Sequence, residues 1–201
     1  MKKTIYLATG NAHKTEEFAQ MLENTNFELL SAKALGAMPE VDECENTFKG
    51  NALLKAYALK ELAPANAYIL ADDSGLCVDA LGGAPSIHSA RYAGVSGEGA
   101  DKANNAKLLR ELKGIPLENR TARFVCSLAL LSPDGKEYIF EGKVEGYIIE
   151  EEIGENGFGY DPLFLYKEFN KTTAQIDSTL KHSISHRGKA LTLLLDFLNK
   201  I

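Results

Sequence analysis

A short apolar run, Ala67-Tyr68-Ile69-Leu70, leads directly into Ala71-Asp72-Asp73-Ser74-Gly75, and this junction constrains the fold more than any other stretch. Such a run reads as a buried strand. Adjacent carboxylates at the carboxyl end of a buried strand stand where open α/β sheets place their ligands. Successive strand side chains point to opposite faces. One Asp can then face a cleft while the other turns back to hold a neighbouring loop. Ser74 adds a hydroxyl, and Gly75 lets a ligand or another backbone come close. Mg²⁺, a hard cation bound through one or two carboxylates plus substrate phosphates, is one ligand that this pair could hold. A polar turn after a strand would carry the same residues, so the stretch needs support from the rest of the chain.

Part of that support lies at the start. Thr4-Ile5-Tyr6-Leu7-Ala8 is another strand candidate, followed by Thr9-Gly10-Asn11-Ala12-His13-Lys14. The spacing of Phe18, Met21 and Leu22 predicts an amphipathic helix from about Thr15 to Glu23. A strand, a glycine turn and a helix N-terminus make an anion site, because backbone N–H groups point outward and the helix dipole favours negative charge. Lys14 and Asn11 would add side-chain donors. A Walker A loop is excluded, since the second Gly before the Lys is missing. Phe27 to Leu30 reads as a short strand, and residues 33–46 as an irregular acidic loop. Thr47 opens a helix to about Leu62, with Phe48, Ala52, Ala56 and Leu59 as its apolar stripe and Thr47, Asn51 and Lys55 stacked beside it. Pro64 ends it.

Further along, Leu81 to Gly99 is a long Gly-rich segment, and Ala100 to Leu112 is a helix. Ala122–Leu131 and Glu137–Ile149 are strands joined by the turn Ser132-Pro133-Asp134-Gly135, which makes an antiparallel hairpin. Parallel βα units first and a hairpin later imply a mixed sheet with helices packed on it. Gly154 to Pro162 is dense in glycine and carries Phe158, Tyr160 and Asp161. Aromatics on such a loop can stack on a nucleobase; they can also tuck into a core. Ser185 caps a last helix with Ala190, Leu194, Leu198 and Ile201 as its stripe. Cations in its first turn, His186 and Arg187, oppose the macrodipole. With Lys181 just upstream, they can donate to carbonyl or phosphate oxygens.

Bulk properties narrow the function classes. The chain has 201 residues, 45% hydrophobic and 25% charged, which fits one domain over residues 1–201 with a sizeable core. A net charge of −6 gives no overall basic field for nucleic acid. An anionic substrate would need a local cationic pocket or a metal. Cys44, Cys77 and Cys126 show no paired or metal-type spacing and read as small core hydrophobes in a reducing compartment. The run after Met1-Lys2-Lys3 is too short for a membrane span and lacks a cleavage-type region. The expectation is a cytoplasmic protein that partners neither nucleic acid nor membrane.

Taken in order, these motifs closely resemble the inosine triphosphate pyrophosphatase family. The matching pieces are Ala8-Thr9-Gly10-Asn11 with Lys14, Thr47-Phe48 with Asn51-Ala52 and Lys55-Ala56, and Ala71 to Leu76. They continue with Leu81-Gly82-Gly83, Ser89-Ala90-Arg91-Tyr92, Gly157 to Pro162, and Ile184-Ser185-His186-Arg187. The resemblance implies an elongated mixed α/β fold with flanking helices, two lobes around a central nucleotide-binding cleft, and a homodimer. It implies Mg²⁺-dependent hydrolysis of ITP, dITP and XTP to the monophosphate and pyrophosphate, cleansing the nucleotide pool.

By position, the resemblance puts substrate contacts along Thr9, Gly10, Asn11, Ala12, His13 and Lys14, with Thr9, Asn11 and Lys14 on the triphosphate. Lys55 and Ser74 support the phosphates, and Arg91 is a further contact. Phe158, Gly159 and Tyr160 are implied at the base, with Asp161 nearby. Lys181, His186 and Arg187 are implied at the base edge. Glu43 and Asp73 are the implied Mg²⁺ ligands, and Asp73 the proton acceptor. One departure stands out: the family usually has Thr-Phe-x-Glu-Asn-Ala, and here Gly50 replaces the Glu. The protein would then be slower or use a neighbour such as Glu43, and Gly50→Glu would be expected to raise activity or lower the Mg²⁺ requirement. A Maf-like pyrophosphatase is a rival that the Ser-His-Arg motif and the Phe-Gly-Tyr-Asp loop argue against. A non-catalytic nucleotide-binding module has only Gly50 in its favour.

Overall fold

The computed structural model describes residues 2–23 and 25–201, and the side chains of Ala12, His13, Ser178 and His182 lie outside the description. The substrate contacts expected at the Ala12 and His13 side chains therefore fall outside the described residues. The fold is mixed α/β: one seven-stranded sheet with helices packed on it. The strands are β1 (Lys3–Ala8), β2 (Phe27–Ser31), β3 (Tyr68–Val78), β4 (Thr121–Leu131), β5 (Glu137–Ile148), β6 (Phe164–Tyr166) and β7 (Lys171–Thr172). Their order is β2-β1-β3-β4-β5-β6-β7. The helices are α1 (Ala12–Leu22), α2 (Phe48–Lys60), α3 (Ala100–Glu111), α4 (Ser178–Ile184) and α5 (His186–Leu198). No described helix is long and apolar enough to cross a membrane.

β1 pairs parallel with both β2 and β3, as the opening βα units require. β5 pairs antiparallel with β6, and β6 with β7. Between β4 and β5 the Ser132 N–H donates to the Lys136 carbonyl at 3.0 Å, and the Gly135 N–H to the Ser132 carbonyl at 2.9 Å. Neighbouring strands joined by so short a turn run antiparallel. The mixed sheet follows as expected.

The chain divides into two compact units: Met1–Asp73, Cys126–Gly142 and Lys189–Ile201 form the first, and Ser74–Val125 with Lys143–Gly188 the second. In the first unit both sheet faces are covered. Ile5, Leu7, Leu70, Leu128 and Leu130 pack with Phe18 and Leu22 of α1 and with Leu191, Leu194 and Leu198 of α5. Ala8, Ile69, Ala71, Ala129 and Leu131 pack with Ala52, Ala56 and Leu59 of α2. Adjacent residues Ile69 and Leu70 thus serve different layers, which is the period-two alternation of a strand buried on both faces. The second unit has its own core of Leu76, Val78, Leu108, Leu112, Phe124, Leu163 and Phe164. Beside it the buried Arg120 donates to the carbonyls of Ile115 and Leu112 at 2.7 and 3.0 Å.

Several boundaries differ from expectation, each for a local reason. β3 does not stop before the acidic pair: Leu76 and Val78 continue its apolar pattern and are fully buried, so the strand runs on to Val78. The two carboxylates lie mid-strand. α1 begins at Ala12 instead of Thr15, because the Asn11 side chain accepts from the Lys14 N–H at 3.2 Å and caps it. α2 begins after Thr47 as expected, with the Gly50 N–H donating to Thr47 Oγ1 at 3.0 Å, but it ends at Lys60, before Pro64 is reached. α4 was not foreseen; Asp177 caps it by accepting from the Leu180 N–H at 3.0 Å. Ile201 lies beyond α5 and is 47% exposed, so it does not extend the apolar stripe.

Candidate functional site

In the first unit, β3 sends its adjacent carboxylates to different helices. Lys14 Nζ, on α1, donates to Asp72 Oδ2 at 2.6 Å. Lys55 Nζ, on α2, donates to Asp73 Oδ1 at 2.9 Å and stands 3.5 Å from Glu43 Oε1. Both Asp side chains are buried. Asp72 holds a helix lysine, not a loop, and Lys14, expected on the triphosphate, is engaged with Asp72.

Three carboxylates therefore share two ammonium groups. Burial pushes the Asp73 carboxyl up, Lys55 opposes this, and Glu43 and Asp72 add to it. Burial works against the Lys55 charge, but Asp72, Asp73 and Glu43 outweigh it and raise Lys55 as well. The two shifts have different leading causes: burial for Asp73, and the surrounding carboxylates for Lys55. Asp73 Oδ2 is buried and has no hydrogen-bond partner among the described residues. A buried carboxylate oxygen with spare capacity, in a cluster with surplus negative charge, suits a hard divalent cation. No group of three or more His, Cys, Asp or Glu converges as a closed metal cage among the described residues. Mg²⁺ does not need one, since substrate phosphates and water complete its shell.

The turn ahead of α1 is open. Gly10 and Asn11 are exposed, and a Cβ at Gly10 would meet nothing within 4 Å. Thr9 Oγ1 accepts from the Asn11 N–H at 3.2 Å and shapes the turn. Around Gly50 the outcome differs from expectation. A Cβ there would lie 2.7 Å from Glu45 Cβ and 2.9 Å from Glu45 Oε2. The Glu45 N–H donates to Asn51 Oδ1 at 3.1 Å, which ties it to α2. The carboxylate beside Gly50 is thus Glu45; Glu43 is engaged with Lys55.

In the second unit, the two rings of the Gly-rich loop part company. Phe158 is 40% exposed, whereas Tyr160 is buried and its hydroxyl donates to the Ser89 carbonyl at 2.8 Å. Asp161 is buried and accepts from the Phe158 N–H at 2.9 Å and from Lys181 Nζ at 2.6 Å, both on Oδ2. Burial pushes the Asp161 carboxyl up, against Lys181 and then Arg187. Lys181 Nζ lies 5.4 Å from the Phe158 ring centroid. A Cβ at Gly157 would lie 2.1 Å from Asp161 Oδ2, so only glycine fits, and its φ of +81° favours glycine again.

Ser185 Oγ accepts from the Gly188 N–H at 3.0 Å and starts α5. The His186 ring stacks on Phe124 at 4.9 Å and 15°. Arg187 is buried. Arg91 is exposed at the end of a 3₁₀ segment, Ser86–Arg91, and Ser74 is half-buried on β3. Sequence reasoning missed Glu45 and the α3 residues Asp101, Asn104 and Asn105. The available signal was a run of weak helix formers, Asp and two Asn, inside a helix.

The sequence profile of the Ham1 family matches residues 5–197. A dITP/XTP pyrophosphatase of Desulforamulus reducens is 47% identical over 197 residues, covering 98% of this chain and 96% of that protein. One of the same name from Geobacter sulfurreducens is 49% identical over 195 residues, covering 96% of each. The solved structure of the Staphylococcus aureus Ham1 protein is similar with a TM-score of 0.88 at 39% identity, covering 98% of this chain and 99% of that one.

Proposed function

The chain belongs to the Ham1 family, and on that premise we propose that it hydrolyses the non-standard purine nucleoside triphosphates ITP, dITP and XTP to the monophosphate and pyrophosphate. The observation that carries the reading is the buried Asp73 carboxylate, held by Lys55 through one oxygen and, among the described residues, without a hydrogen-bond partner on the other. The first unit is assigned to the phosphates. The open turn from Thr9 to Lys14 presents N–H groups at the start of α1. Asp73 accepts the proton of the attacking water, a role that a raised carboxyl suits. Lys55 orients Asp73, and both lysines supply positive charge for the pyrophosphate that leaves. Mg²⁺ held by Asp73 and Glu43 would neutralise charge developing on the phosphoryl oxygens.

The second unit is assigned to the purine. Phe158 offers the exposed ring face for stacking. Lys181, His186 and Arg187 supply the donor-rich edge, and Lys and Arg cannot accept hydrogen bonds. A 6-oxo group satisfies them, whereas a 6-amino group sets donor against donor, so ATP is a poor substrate. The reading includes a homodimer, which sedimentation would check.

Pyrophosphate release from ITP and ATP, with and without Mg²⁺, is the test. Expected are Mg²⁺-dependent turnover of ITP and little of ATP. Asp73→Asn should fold and lose at least about 100-fold in kcat, since an amide cannot serve as the base. Near-wild-type release from folded Asp73→Asn would remove Asp73 from the mechanism. Tight ITP binding without any release would favour the non-catalytic module.

A further inference from the structure

The Gly-rich loop has no regular ladder of its own, and three of its glycines, Gly154, Gly157 and Gly159, sit at positive φ. Asp161 holds the Phe158 N–H from within the loop, and α3 holds Gly159 from outside it. The Gly159 N–H donates to Asp101 Oδ2 at 2.8 Å, and Asn105 Nδ2 donates to the Gly159 carbonyl at 3.1 Å. Residues four apart on a helix stack on one face. One turn of α3 therefore grips both polar groups of a single residue, with an acceptor for its N–H and a donor for its carbonyl.

Asn105 Nδ2 also donates to Glu152 Oε1 at 2.7 Å. Both Asn105 partners are acceptors, so only the amide nitrogen can face them. Its Oδ1 is left buried without a partner among the described residues, which is destabilising. An apolar side chain would avoid that cost and would lose the grip on Gly159. Asn104, beside it, holds the segment around Arg91. It donates to the Ser89 and Ala90 carbonyls at 3.3 and 3.2 Å and accepts from the Ala93 N–H at 2.7 Å. The Tyr160 hydroxyl donates to the same Ser89 carbonyl.

We propose that Asp101 and Asn105 are positioning residues for purine recognition: by clamping Gly159 they fix the direction of the Phe158 ring, while Asn104 fixes the Arg91 segment in the same array. The inference rests on the functional reading above and deepens it. Both residues belong to the second unit, and their hydrogen bonds go to Gly159 and Glu152, so their loss acts on substrate affinity and leaves the chemical step intact.

The test is steady-state pyrophosphate release from ITP by Asp101→Ala, Asp101→Asn and Asn105→Asp, beside wild type, with melting temperatures. Asp101→Ala should raise KM for ITP about tenfold, the scale of one lost orienting hydrogen bond, with kcat within about twofold. Asp101→Asn keeps an acceptor for the Gly159 N–H and should restore KM. Asn105→Asp cannot donate to Gly159 and should behave like Asp101→Ala; it carries the test if Asp101→Ala does not fold. A lowered melting temperature with unchanged KM in the folded variants would overturn the inference, as would Asp101→Asn no better than Asp101→Ala. Wild-type protein that releases no pyrophosphate from ITP would instead overturn the functional reading, and the inference with it.

Discussion

Two residues decide how the acidic groups of this chain behave. Gly50 stands where the resembling family has a glutamate, and the space its side chain would enter already holds the Glu45 side chain, with Oε2 2.9 Å from a Cβ there. Gly50→Glu would therefore place a second carboxylate in an occupied position. It is expected to leave ITP turnover and its Mg²⁺ requirement unchanged; Glu45 is exposed and must swing aside, while the helix gains roughly 0.5–1 kcal/mol from losing a glycine. Mg²⁺ titration of turnover in the variant checks this, and a clear gain would show that Glu45 does not fill the role. Asp161 is the second case. Burial raises its carboxyl above the ordinary range, against Lys181. The native state then holds this proton more tightly than the unfolded chain, whose aspartates titrate near 3.9. The contribution is fully present below that value and is lost as pH rises through the higher native one. Wild type should thus lose stability relative to Asp161→Asn as pH climbs from about 4. Denaturant unfolding of both proteins across pH measures it, and a difference that stays flat or grows with pH would contradict the assignment.

Caps and strand alternation connect such residues to the sheet. Thr47 accepts from the Gly50 N–H at 3.0 Å and starts the helix that bears Asn51 and Lys55. Thr47→Ala should lower stability by about 1 kcal/mol, read by denaturant unfolding; no loss would mean that water or another group caps α2 equally well. At this scale much was legible in advance. The stripe of Ala52, Ala56 and Leu59 has helical spacing, and it is the buried face of α2. The turn signal Ser132-Pro133-Asp134-Gly135 marked the hairpin. The pairing of Lys14 with Asp72 was not legible, because it spans 58 residues and arises only when β3 lies beside β1. Nor was the end of β3: Asp-Asp-Ser-Gly looks like a turn locally, and only burial of Leu76 and Val78 carries the strand through it. The grip of Asp101 and Asn105 on Gly159 likewise joins a helix to a loop more than fifty residues later. Local pattern finds elements and caps; tertiary pairing decides which polar groups meet.

Each compact unit has its own core, and the chain crosses between the units four times. It passes from one unit to the other at Asp73–Ser74, Val125–Cys126, Gly142–Lys143 and Gly188–Lys189. These junctions fall inside β3, β4, β5 and α5, not in loops. Independent melting of one unit would require breaking three strands and a helix in mid-element, with the loss of their backbone hydrogen bonds. The chain should therefore unfold in a single cooperative transition, with calorimetric and van't Hoff enthalpies equal. Two truncations test this. Leu128, in the first unit, and Leu163, in the second, are both fully buried. Each change to Ala should cost about 2–5 kcal/mol and lower the same transition by roughly 2–4 °C per kcal/mol. Far-ultraviolet circular dichroism and tyrosine fluorescence should report coincident midpoints in every variant; the chain has eight Tyr and no Trp to complicate the signal. If Leu163→Ala instead splits the melt, leaving a second step at the wild-type temperature, the units fold separately and the continuity of the strands does not couple them.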